Sequence, residues 1–148
     1  MASSHRRLAE ATTSSLEALK ALTDGNLLWR KGRFDDALVL YHRAVKLDPE
    51  FAMAYANLGN GYSSFSVTVD TGKGEQYFQE ALKRLDRVTE RERLEILGLY
   101  YSSRGPQQKA LSYARLLVDA YPKVDSYRFN VARILQNLRQ YTEAIQCV

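Results

Sequence analysis

The triplet Gly72-Lys73-Gly74 is the sequence's nearest approach to a phosphate-binding loop, where glycines let backbone amides close on a phosphate and a lysine neutralises it. Its surroundings fail that chemistry twice. Val67 stands where the loop needs its first glycine, and Gly74 where it needs Ser or Thr. The triplet is expected as a mobile turn. The two histidines, His5 and His42, have no cysteine or acid at ligand spacing, and zinc wants about four converging groups. His42 follows Tyr41 and reads as a part-exposed surface residue. The one cysteine, Cys147, has no histidine near it in sequence and is expected to fill a small apolar site. No catalytic residue, metal site or cofactor is expected.

Composition narrows the remaining classes. A chain of 148 residues, 45% apolar and 26% charged, suits one globular domain with a real core. The net charge is +4 and the pI about 9.2, which would suit nucleic acid if Lys and Arg were clustered. They are instead interleaved with acids, as in Arg91 to Glu95 and Lys83 to Arg87, so a mixed-charge solvated surface is expected and nucleic acid is not. A lone cysteine cannot build an internal disulfide framework. No run approaches the roughly 20 apolar residues of a membrane span, so no membrane contact is expected of this stretch. Residues 1–15, with Arg6-Arg7 but no apolar run after them, lack the layout of a signal peptide and read as a flexible segment.

Stepping along the chain shows a period. Gly25 and Gly59 are 34 residues apart, as are Gly98 and Ala132, Leu97 and Val131, Tyr101 and Leu135, and Ala110 and Ala144. Between Gly59 and Gly98 the interval is 39, so five extra residues lie in or after the second unit. Each unit divides in two. In the first, Ala18 to Lys31 is followed by Gly32-Arg33, then Phe34 to Leu47, then Asp48-Pro49. In the third, Arg91 to Ser103 is followed by Arg104-Gly105, then Pro106 to Ala120, then Tyr121-Pro122.

The halves have the physics of helices. Ala37, Tyr41 and Ala44 recur at helical spacing and form one apolar stripe. Ser14 with Glu17, and Thr89 with Glu92, have capping-box spacing. Gly32 and Gly105 stand where a helix needs a left-handed terminating residue, and Pro49 and Pro122 where none should continue. Small residues at Gly25, Gly59, Gly98 and Ala132 should let paired helices approach closely. Such hairpins cannot bury their apolar faces alone, so they stack. Only Val67 to Val69 has any strand character.

The run Gly25, Gly32, Phe34, Ala37, Tyr41, Ala44, Pro49 resembles the tetratricopeptide repeat. Tyr55, Leu58, Gly59, Tyr62, Phe78 and Ala81 fill a second copy, and Leu94, Leu97, Gly98, Tyr101, Ala110 and Pro122 a third. Val131, Ala132, Leu135, Tyr141 and Ala144 begin a fourth that stops before its second helix is complete. The resemblance implies an all-α fold, a right-handed superhelical α-solenoid of antiparallel helix pairs, over 16–148. Its repeats would span about 18–51, 52–88, 91–124 and 125–148, the last incomplete. Tyr41, Tyr55, Tyr62, Tyr101 and Tyr141 then serve packing rather than stacking on bases. Asp24 departs from the pattern, Trp29 is not at the usual tryptophan position, and Ser63 to Gly74 forms an overlong link. Two further strings, Ala11 to Ala21 and Leu85 to Gly105, are similar to the repeat tails of large bacterial signalling proteins that carry a kinase, a cyclase or a DNA-binding regulator.

In this family the first helix of each pair lines the concave side. The resemblance therefore implies a groove of Asn26, Arg30, Asn57, Asn60, Glu92, Glu95, Leu99, Phe129 and Arg133. Members that grip the C-terminal carboxylate of heat-shock chaperones use a lysine–asparagine–asparagine–lysine–arginine set. Asn26 and Asn57 match it, but Leu22, Glu92 and Ile96 occupy the other positions, so that use is disfavoured. The expected function is a non-catalytic, cytoplasmic scaffold domain of a larger signalling protein, binding a protein or extended peptide in the groove. Behind a membrane anchor it would be extracytoplasmic. The alternative is a homo-oligomerisation module stacking through open apolar ends.

Overall fold

A computed structural model describes residues 13–64 and 69–146. These form seven α-helices: α1 (Leu16–Arg30), α2 (Phe34–Leu47), α3 (Ala52–Ser64), α4 (Thr71–Leu82), α5 (Glu90–Arg104), α6 (Gln107–Ala120) and α7 (Asp125–Gln146). A 3-10 turn, Leu85–Arg87, lies between α4 and α5. No strand occurs among the described residues. Val69 is exposed and irregular, and Val67 lies outside them. The fold is the all-helical stack of pairs that the repeat predicts: α1 packs on α2, α3 on α4, and α5 on α6. No helix is long and apolar enough to cross a membrane.

The helix ends follow local chemistry. Gly32 and Gly105 both have positive φ, 78° and 74°, a conformation a side chain resists, and both stop a helix as expected. Thr89 caps α5, its hydroxyl accepting from the Glu92 amide at 3.2 Å. At α1 the cap is Ser15, which accepts from the Ala18 amide at 3.1 Å; the expected Ser14 is exposed. The shift by one residue follows from Thr13. Its hydroxyl donates to Asp48, at the far end of α2, and accepts from the Ser15 amide, which fixes Ser15 at the cap. Of the segment expected to be flexible, residues 1–12 lie outside those described, whereas Thr13 is buried.

The core is centred on α3, whose Ala52, Ala54, Ala56 and Leu58 are all fully buried, as is Phe51 just before it. Apolar over most of its surface, α3 packs on α2, α4 and α5. Each second helix buries a matching stripe: Ala37, Tyr41, Ala44 in α2; Gly74, Phe78, Ala81 in α4; Ala110, Ala114, Leu117 in α6. Two large rings from this stripe press on glycines. A Cβ at Gly25 would lie 2.7 Å from Tyr41, and one at Gly59 2.7 Å from Phe78.

Three expectations need correcting. The link over Ser63 to Gly74 is shorter than thought, because α3 reaches Ser64 and α4 starts at Thr71. Gly72-Lys73-Gly74 is no mobile turn. Asp70 caps this helix by accepting from the Lys73 amide at 2.9 Å, and Gly74 is buried where a Cβ would stand 3.0 Å from the Gly59 carbonyl oxygen. Second, α7 runs unbroken from Asp125 through Tyr141 and Ala144, instead of turning into a second helix. Arg139 stands 34 residues after Gly105, so the glycine that ends α5 has no counterpart there. Third, Gly98 makes no close approach: a Cβ there would meet only Tyr113 Cβ at 3.9 Å. Ala114 takes the stripe place of Tyr41 and Phe78, so no ring reaches it.

These contacts order three substitutions. Gly59→Leu should destabilise by roughly 1–3 kcal/mol through overpacking on Phe78. Gly72→Leu, whose Cβ meets only the Asp70 carboxylate at 3.5 Å, should cost far less. Gly98→Ala should be neutral or stabilising by up to about 1 kcal/mol from helix propensity. Thermal melts read all three, and a Gly98→Ala loss matching that of Gly59→Leu would contradict this account.

Candidate functional site

The first helices of successive pairs lie side by side, with α3 packed on α5, and polar side chains join their neighbours. Asn57 on α3 donates through Nδ2 to Asn26 Oδ1 on α1, at 3.2 Å. The same oxygen accepts from the Tyr41 hydroxyl of α2 at 2.9 Å. Burial pushes the Tyr41 hydroxyl well above its usual range, so it remains a donor at all ordinary pH. With the Asn26 oxygen accepting twice, the orientation of both amides is fixed. Asn60 is half-buried one turn along α3. Arg30 is exposed one turn beyond Asn26, its Nε donating to the Asn26 carbonyl at 3.4 Å.

At α5 the arrangement changes. Glu92 is fully buried, so it does not offer its carboxylate to solvent as expected. The cause is depth. Leu19 and Met53, at the matching first-turn positions of α1 and α3, are buried too. Glu95, one turn on, is 12% exposed and occupied: Tyr127 of α7 donates its hydroxyl to it, and Arg91 pairs with it at 3.7 Å. Leu99 packs against the main core. On α7, Phe129 and Arg133 are exposed one turn apart, and Arg133 donates to Asn130 at 2.7 Å. The expected groove residues thus separate into an open amide group on α1 and α3, a filled acidic position on α5, and an exposed ring and cation on α7. Leu22 and Ile96, which break the carboxylate-gripping pattern, are buried.

Residues 25–63 match the family model described as a TPR repeat. The match runs from Gly25, inside α1, through α2 to Ser63 at the end of α3, and so includes Asn26, Tyr41, Asn57 and Asn60. TPR repeats generally mediate protein–protein interaction, so the match supports a scaffold role. Among the described residues, no group of three or more His, Cys, Asp or Glu is placed to hold a metal ion.

Sequence reasoning treated Tyr41 as packing only and passed over Tyr127 and Arg91. Tyr127 accepts from Arg91 Nε at 2.8 Å while donating to Glu95. Arg91 also lies over the Tyr121 ring at 4.4 Å from its centroid. The repeat period did not mark this bridge, because Arg91 and Tyr127 are 36 residues apart. Burial, and then the Glu95 charge, push the Tyr127 hydroxyl well above its usual range.

Removing that hydroxyl tests the bridge. Tyr127→Phe breaks bonds to charged partners and should cost about 1.5–3 kcal/mol in urea unfolding at neutral pH. Because the native hydroxyl titrates above its unfolded value near 10, its contribution is present below about pH 10 and fades as pH rises further. The difference between wild type and variant should therefore narrow in strong alkali. A constant difference would show that the hydroxyl's bonds are not its source.

Proposed function

We propose that the chain is a non-catalytic scaffold that holds an extended segment of another protein along the open face of α1, α3, α5 and α7. The oriented Asn26–Asn57 pair carries this reading. A side-chain donor beside a side-chain acceptor matches the alternating N–H and C=O of an extended backbone and reads little of its sequence. Arg30 and Asn60 extend the polar part, and Phe129 with Arg133 offers an apolar anchor and a cation at the other end. The likeness of Ala11 to Ala21 and Leu85 to Gly105 to bacterial signalling tails supports placement within a larger cytoplasmic signalling protein. Interleaved charges and polar half-buried amides favour protein over nucleic acid as the ligand.

Linear peptides selected from a displayed library against this chain give the test. Asn57→Ala with Asn60→Ala should weaken the best peptide more than tenfold, at about 1 kcal/mol per lost hydrogen bond. Phe129→Ala should weaken it as well, with little change in melting temperature because Phe129 is 73% exposed. Val39→Ala with Arg43→Ala, on the exposed side of α2, should leave it unchanged. A peptide that loses affinity only through the α2 changes would place the site elsewhere.

Exposed leucines give a second reading some support. Leu16 and Leu27 are 69% and 42% exposed on α1, and Leu116 and Leu135 are 51% and 41% exposed on α6 and α7. Two apolar ends on one stack allow head-to-tail association, a heterologous contact that propagates unless it closes. Light scattering on a sizing column at tens of micromolar decides it, since a monomer there removes this reading.

A further inference from the structure

His42 is the one described histidine, and it sits where three helices meet. Its Nε2 lies 2.7 Å from the Tyr62 hydroxyl oxygen of α3. Its ring meets Tyr62 and Tyr77 edge-on, with centroids 5.8 and 5.7 Å away. Tyr62 and Tyr77 stack on each other at 5.7 Å and 18°, joining α3 to α4. On the other side of this stack, Tyr55 extends it toward Tyr77 at 6.4 Å. Among the described residues, the groups facing the imidazole are two phenols and one cation, Lys73 of α4, whose Nζ lies 4.6 Å from the Tyr62 ring centroid. Lys46 follows one turn along α2.

We propose that the joint between the first and second helix pairs is a pH-sensitive coupling, held near neutrality by the His42–Tyr62–Tyr77 cluster and loosened when acid protonates His42. With its proton on Nδ1, the neutral ring accepts the Tyr62 hydroxyl proton at Nε2. A protonated ring has two donors and no acceptor, so that hydrogen bond must be abandoned or reversed. The new charge also appears in a half-buried site beside Lys73. Burial first, and then Lys73, hold the imidazole below its usual pKa. The unfolded chain then takes the proton more readily than the native one. Stability from this group is complete above about pH 6.5 and is lost as pH falls through the native pKa. The coupling does not depend on which ligand the open face takes.

Proton NMR on the intact chain resolves the two histidines, with His5→Ala assigning them. The His42 midpoint should lie below that of His5, and Lys73→Gln should raise it. Between pH 7.5 and 5.5, the protection of amides in α2 and α4, corrected for the intrinsic pH dependence of exchange, should fall several-fold while that in α6 stays level, and His42→Gln should remove this acid sensitivity. A His42 midpoint at or above that of His5, or the same acid response in His42→Gln, would overturn the proposal. If His42→Gln does not fold, the midpoint and its response to Lys73→Gln decide by themselves.

Discussion

The contact of the Tyr41 ring with Gly25 governs both packing and site. A Cβ at Gly25 would overlap the ring, so only glycine lets α2 lie this close to α1. That closeness brings the Tyr41 hydroxyl to 2.9 Å from Asn26. The amide so fixed then receives Asn57 from the next pair. One aromatic side chain therefore sets the spacing within a pair and aims the polar group between pairs. Phe78 on Gly59 repeats the packing half of this device without the hydroxyl, so the second pair is spaced in the same way but orients no amide.

Along the stack the joints weaken in kind. The first two pairs and part of α5 share one continuous core, whereas α6 and α7 gather round a smaller one of Ala110, Ala114 and Ile134. Polar contacts also tie α7 back: Tyr127 to Glu95 and Arg91, with Arg91 stacked on Tyr121. Between α4 and α5 the ties are Glu75 with Arg104 at 2.8 Å and the edge-on contact of Phe78 with Tyr100 at 5.4 Å between centroids. In a repeat stack each unit is stable mainly through its neighbours.

Much of this was legible in the sequence because the strongest signals there were backbone signals. Gly32, Gly105 and Pro49 fixed helix ends to within a residue or two, since φ and missing donors act locally. The aromatic and small stripe of Ala37, Tyr41 and Ala44 located the core for a similar reason: its period is that of one helix. The errors arise where a residue's role depends on a neighbour distant in the chain. Ser14 lost the cap to Ser15 because Thr13 bonds Asp48, 35 residues away. Glu92 has the right register for the groove, yet its depth depends on how closely three helices bundle at their starts. The string around Gly72 looks like a loop by composition, and only Asp70 at the cap and Gly59 opposite Gly74 make it helix. Arg139 is the instructive opposite: an absent glycine was the local sign that α7 would not turn, and the repeat pattern outweighed it.

Division of labour between the two helices of each pair follows from this geometry. The first helices carry the half-buried amides, the exposed cations and Phe129, whereas the second helices carry the rings that determine how far apart those groups stand. A change in Tyr41 or Phe78 would act on the open face without touching a ligand, by altering separation or orientation. The His42 cluster belongs to this second set. It spans α2, α3 and α4 on the same joint that Asn26 and Asn57 bridge from α1 to α3. A backbone ligand held by a donor on one helix and an acceptor on the next needs both at a fixed spacing, because hydrogen bonds weaken steeply once stretched or bent. Affinity on such a face is set by the rigidity of the joints beneath it as much as by the side chains that touch the ligand.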